Sequence, residues 1–319
     1  MRAAVPALCI VLAACAGNDP QNTSGDPAPA DLCVASSCGI KTQLLTIPQA
    51  ENIFFTPDGR MFVSGSTNVF EITREGETYK AAPIFDGTGN FGGMAQRGDV
   101  LYVTNFTDGS LYATQLTAQP SLQKIHVLNM ASPNGMAAGP DGELYINNGP
   151  LSTSSLPDPR MVRIRIDATD PMKVVEQTNW LTHDMSFPNG LARVGRTLFF
   201  TDSTVLPPTL GMIKRLDINA DGSPGAVTTL ATFTSLPDDL SVVGDALLVA
   251  FYSGGAIALF KQDGTLVSQT DPLSFEFPSQ VKIARTPIFG PTDIVVTEKG
   301  VVGDDITPIG DRLSVFRHR

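Results

Sequence analysis

Four oxygen-bearing side chains stand at one phase of a recurring segment. Glu51, Asn134 and Asp238 each lie seven residues before Asp58, Asp141 and Asp245, and Asn189 lies six before Gly195. Two carboxylates and two amides at matched positions form a hard, all-oxygen set of charge −2. That donor chemistry suits Ca2+, with Zn2+ or Mn2+ as alternatives, and leaves positions for water or substrate. An Asn-Gly pair taken singly is turn chemistry. Here the Asp58-Gly59 and Asp141-Gly142 pairs already supply hairpin turns, so Asn134-Gly135 and Asn189-Gly190 need another role. Gly92, at the same phase of a further segment, offers no ligand and leaves that side of the set open.

Side chains at one phase can meet only if equivalent strands surround an axis, and the chain from residue 44 onward has that grammar. Short apolar runs alternate with Gly/Asp turns, and no stretch carries a helical stripe. The unit reads Glu51-Asn52-Ile53-Phe54-Phe55, Asp58-Gly59, Met61-Phe62-Val63-Ser64. It returns from Gly92, Asn134, Asn189 and Asp238, and in degenerate form near Ser279 to Thr297. A period of about 40 to 50 residues with several strands per unit predicts propeller blades. The expected fold is all-β, a six-bladed propeller with four antiparallel strands per blade and a divalent metal in the central channel. A leftover strand at Leu44-Leu45-Thr46-Ile47 is expected to complete the last blade and close the ring.

Composition narrows the partners. The 319 residues carry 22 Lys and Arg against 32 Asp and Glu, a formal charge of −10, with no basic cluster, so nucleic acid is not an expected partner. Three scattered histidines and no Cys-x-x-Cys pair leave no zinc site of the usual kind. Met1-Arg2 followed by the apolar run Ala3 to Ala14 reads as a secretory leader. Leu12-Ala13-Ala14-Cys15 resembles the lipobox of bacterial lipoproteins, which makes residues 1–14 a signal peptide and Cys15 the lipidated residue. Residues 15–43 then form a flexible tether holding a small Cys33–Cys38 disulfide loop, and residues 44–319 the propeller. The expected location is the bacterial cell envelope, at the periplasmic face and on the outer membrane, or the medium if secreted. The membrane would be touched through the N-terminal lipid alone.

At this level the chain resembles the senescence-marker-protein/gluconolactonase-like propellers. Leu236-Pro237-Asp238-Asp239-Leu240-Ser241-Val242 with Leu247-Leu248-Val249-Ala250 is similar to the family's Pro-Asp-Gly stretch and following strand. Phe187-Pro188-Asn189-Gly190-Leu191 with Thr201-Asp202-Ser203, Ser132-Pro133-Asn134-Gly135, and Glu51 with Asp58-Gly59 match three more motifs in order. The resemblance implies that Glu51, Asn134, Asn189 and Asp238 bind a divalent metal, and that Asp238 also helps activate the attacking water of a lactonase. It further implies a small lactone or ester as substrate, its carbonyl polarised by the metal. Two departures stand out. Asp239 replaces a glycine and is expected to back the metal ring or to add a fifth ligand. Ser132-Pro133 stand where sugar-lactone members place an arginine, which turns the expectation away from sugar-acid lactones.

Other chemistry has little support. No Gly-x-Ser-x-Gly elbow occurs, and the glycine-rich Gly87 to Gly92 precedes a strand rather than a helix. Asn105 and Asn147 read as hairpin residues, Asp202 as an edge or channel-rim polar. His183-Asp184 is a candidate for the pocket wall, and Asp304-Asp305 reads as a solvated turn. Two functions remain: a calcium-dependent hydrolase of lactones or related esters, and a non-catalytic propeller with a structural ion that binds a ligand, glycan or protein.

Overall fold

The protein is described here from a computed structural model covering residues 32–149, 156–302 and 309–319. The signal peptide, Cys15 and the Asp304-Asp305 turn lie outside the described residues. Six four-stranded antiparallel sheets follow one another along the chain, and no helix occurs among the described residues. The innermost strands are Ile53–Phe55, Phe91–Arg97, Pro133–Ala138, Phe187–Val194, Pro237–Val243 and Pro278–Ile283, giving the six blades in order. This is the six-bladed propeller that the repeat predicts.

Burial explains the layering. The second strands, such as Val100–Asn105 and Ala246–Phe251, are buried at nearly every position, which is why apolar residues dominate them. The fourth strands, such as Thr78–Pro83, are mostly open to water. Hydrophobic cores form between neighbouring blades: Ala95, Tyr102 and Leu111 of the second pack with Met136, Ile146 and Ile164 of the third. Gly59 and Gly142 sit at φ +87° and +86°, so the Asp-Gly pairs do make the hairpin turns. The Asn-Gly pairs lie inside innermost strands instead.

The ring closes as its leftover strand suggests, but that strand is longer. Gly39–Thr46 pairs antiparallel with Arg312–His318 as the outermost strand of blade six, from Gly39 opposite His318 to Thr46 opposite Arg312. Residues 39–43, expected within the tether, therefore belong to the propeller. Leu32 and Val34 are already buried among Val281, Ile283 and Phe316, and Cys33 and Cys38 are joined in a disulfide. Polar residues hid the strand's early start, because an outermost strand buries little of itself. Lys41 within it forms a 2.7 Å ion pair with Glu298, whose side chain is fully buried.

Candidate active site

A repeated irregularity aims the polar heads into the channel. In blades two to six the register of the innermost strand slips at the head, between Phe91 and Met94, Pro133 and Met136, Pro188 and Leu191, Pro237 and Leu240, and Pro278 and Gln280. Such bulges re-aim side chains and interrupt the ladder, which also makes a place for proline. The heads then supply side chains at two levels of the channel, Glu51-Asn52 and Asp238-Asp239 giving two successive residues each. Glu51, Asn134, Asn189 and Asp238 line one cavity of about 210 Å3 near the mouth. Asn52, Gly93, Asp239 and Gln280 line a smaller space behind it.

The four expected residues are thus brought together. Asp238 is buried; its Oδ1 accepts from Asn189 Nδ2 at 2.5 Å and its Oδ2 from Ser279 Oγ at 2.9 Å. Burial, reinforced by the nearby Glu51 charge, pushes the Asp238 carboxyl up to about 8, against the pull of Lys299 and Ser279. Asn189 Oδ1 is buried with no hydrogen-bond partner. Glu51 is buried too, and its Oε2 forms an ion pair with the Lys299 ammonium. Burial works against that ammonium, but Glu51 and Asp238 outweigh it and hold Lys299 above the ordinary lysine value.

Asp239 belongs to the level behind. Its Oδ2 accepts from Asn52 Nδ2 and, at 2.8 Å, from Gln280 Nε2, while its Oδ1 accepts from the Leu240 amide at 2.6 Å. Both oxygens are engaged there, and Asp239 lines the space behind the mouth cavity and not the cavity itself. Burial raises it to about 7.

Several sequence readings change. Asn105 does cap its hairpin, its Oδ1 accepting from the Thr107 amide at 2.8 Å. Asn147 does not; its Nδ2 reaches across blades to the carbonyls of Asn189 and Gly190 at 3.0 and 3.3 Å. Asp202 is fully buried, accepting from the Ser186 and Phe187 amides and from Lys214 Nζ, so it anchors the entry to the fourth blade. His183 and Asp184 form an exposed pair 2.8 Å apart, away from the cavity. The open side expected at Gly92 is filled by Phe106, whose ring lies 2.6 Å from where a Gly92 β-carbon would be.

Ser279, Lys299 and Tyr252 escaped the sequence reading. Ser279 had a signal, since Pro278-Ser279-Gln280 repeats the Pro133, Pro188 and Pro237 heads. Phe106, Tyr252 and Lys299 each immediately follow the second strand of a blade, ending at Asn105, Phe251 and Glu298. That corner brings a side chain over the mouth, and Lys299 is the charged one of the three. The Tyr252 hydroxyl donates to the Gly300 carbonyl at 2.8 Å, fixing the turn that carries Lys299.

Among the described residues no three His, Cys, Asp or Glu groups converge as a metal cluster. A divalent ion here would depend on the amide oxygens of Asn134 and Asn189 as much as on Glu51 and Asp238. The all-oxygen set and the unpartnered Asn189 Oδ1 fit a hard cation of that kind.

No family model and no curated protein matches the sequence. Solved structures do match the fold. A gluconolactonase from Xanthomonas campestris aligns over 92% of this chain and 94% of its own, at 17% identity and a TM-score of 0.66. The calcium-binding protein regucalcin from Agrobacterium tumefaciens aligns over 88% and 94%, at 15% identity and a TM-score of 0.64. A luciferin-regenerating enzyme aligns over 87% and 95%, at 14% and 0.61. At these identities the likeness concerns architecture, and the architecture of this chain is that of the gluconolactonase- and regucalcin-like six-bladed propellers.

Proposed function

We propose that the protein hydrolyses lactones or related carboxylic esters at the mouth cavity, with Asp238 as the general base. The observation that carries this reading is the Asp238 carboxylate itself. It is buried in the cavity wall, with its two oxygens oriented by Asn189 and Ser279. In the reaction Asp238 takes a proton from water as the oxygen attacks the ester carbonyl. The tetrahedral centre then collapses by breaking the ring C–O bond, and the proton passes to the leaving alkoxide. A calcium ion bound by Glu51, Asn134, Asn189 and Asp238 would polarise the carbonyl and stabilise its developing charge. The names of the gluconolactonase and regucalcin neighbours support the reaction class and the ion.

The cavity wall suggests the substrate. Phe187, Val205, Leu236, Pro237, Tyr252 and Val302 make it mainly apolar. No arginine stands beside Asn134 to hold a sugar hydroxyl or carboxylate. An aliphatic or aromatic lactone fits this lining better than a sugar-acid lactone. The lipid on Cys15 remains part of the proposal, holding the enzyme at the cell envelope.

A second reading, a binding module, is favoured by the rim, where Val205, Leu206 and Val302 are 67%, 72% and 64% exposed. Acid release from a panel of aliphatic, aromatic and sugar lactones separates the two. Hydrolysis that Asp238→Asn abolishes supports the enzyme; no turnover on any lactone overturns it in favour of binding.

A further inference from the structure

Lys299 introduces a positive charge into a site built to hold one. Its side chain is 13% exposed, reaches the Oε2 of Glu51, and lies 5.8 Å from the centroid of the Phe106 ring. Phe106 packs where Gly92 leaves space, so the ligand-free side of the ring supplies an aromatic face to the ammonium. Tyr252 secures the turn that delivers it. A carboxylate oxygen, a ring face and a pinned corner therefore converge on one tethered cation.

A divalent ion would need the same oxygen. Calcium draws its oxygens to about 2.3–2.6 Å, and Glu51 Oε2 cannot accept it there while an ammonium occupies that carboxylate. Two cations so close also repel each other in a poorly solvated site. Neither Asn189 Oδ1 nor Glu51 Oε2 has a hydrogen-bond partner; the ammonium answers Glu51 through charge and leaves Asn189 Oδ1 unanswered. We propose that Lys299 is a built-in competitor for the divalent ion: it neutralises Glu51 when the ring is empty and must swing away for metal to bind. This rests on reading the ring as a cation site. Its test uses metal alone: equal affinities would overturn the competition and leave the hydrolase reading standing, whereas the role of Asp238 is tested separately by the lactone panel.

The experiment is calorimetric titration of the purified protein with CaCl2, wild type against Lys299→Met, with melting temperature followed in parallel. The expected result is a calcium affinity at least tenfold higher in Lys299→Met. That variant should also melt lower than wild type in chelator and gain more from added calcium. Equal affinities, or no binding by the variant, would overturn the proposal. Should Lys299→Met not fold, reductive methylation of the wild type read by mass spectrometry decides. Lys299 is expected to be protected in chelator and labelled in saturating calcium; labelling that calcium does not change would overturn it.

Discussion

Asp238 and Asp239 are consecutive on one strand, yet their carboxylates serve two different levels of the channel. Asp238 meets Asn189 and Ser279 at the mouth, and Asp239 meets Asn52 and Gln280 behind it. A regular strand would send neighbouring side chains to opposite faces; the bulge between Pro237 and Leu240 lets both enter the channel. Asp238→Asn is expected to lower kcat for lactone hydrolysis by about 10²-fold or more while leaving the melting temperature unchanged or higher. Retained activity in that variant would remove Asp238 from the role of base.

Asp239 has room only because Gly190 faces it. A β-carbon on Gly190 would sit 2.1 Å from Asp239 Oδ1. Gly190→Ala is expected to destabilise the protein by about 2 kcal/mol, since overpacking of a filled site costs on that order. The double variant Gly190→Ala/Asp239→Gly should recover only part of the loss, because the added β-carbon also meets the Asp239 Cα at 2.5 Å, and urea denaturation of the four proteins in the cycle would measure that coupling.

The two raised carboxyls give stability a pH dependence of definite sign. An aspartate in the unfolded chain loses its proton near pH 4, as a rough reference. Folded Asp239 and Asp238 hold theirs to about 7 and 8. Between those limits the folded state binds more protons, so their contribution is largest at low pH and is lost as pH rises through the folded values. Urea midpoints in chelator should therefore fall from pH 5 to pH 9, less steeply in Asp239→Asn. An unchanged slope would mean that Asp239 titrates normally.

Closure of the ring depends on charge as well as on strand pairing. Lys41 lies on the closing strand, and its partner Glu298 also accepts from Ser314 Oγ at 2.5 Å and from the Glu276 amide at 2.6 Å. Lys41→Met strands a buried carboxylate, which should cost about 2 kcal/mol and lower Tm by roughly 5 °C. Adding Glu298→Gln should return part of it. Calorimetry of the single and double variants would show whether the charge or the strand dominates.

The fold was legible because blades repeat. Most units carry their own turn residues, a buried second strand and a polar head, and these are local properties of consecutive residues. Six units with a spare strand leave few architectures. The same locality exposed Glu51, Asn134, Asn189 and Asp238, since equal phase on equivalent strands means equal height in a channel.

What the sequence could not show is how residues far apart in the chain meet across the axis. Lys299 reaches Glu51 over 248 positions, and its charge matters only once the sixth blade stands beside the first. Asn147 looked like a hairpin residue because its neighbours are hairpin-like, yet its amide is spent on the next blade. Asp239 stood beside Asp238 in the sequence, and only the bulge and the facing glycine decided that it would lie behind the ring. Repetition fixes strands and phase from within each unit; charge pairing and the choice of level come from contacts between units, which exist only when the ring has closed.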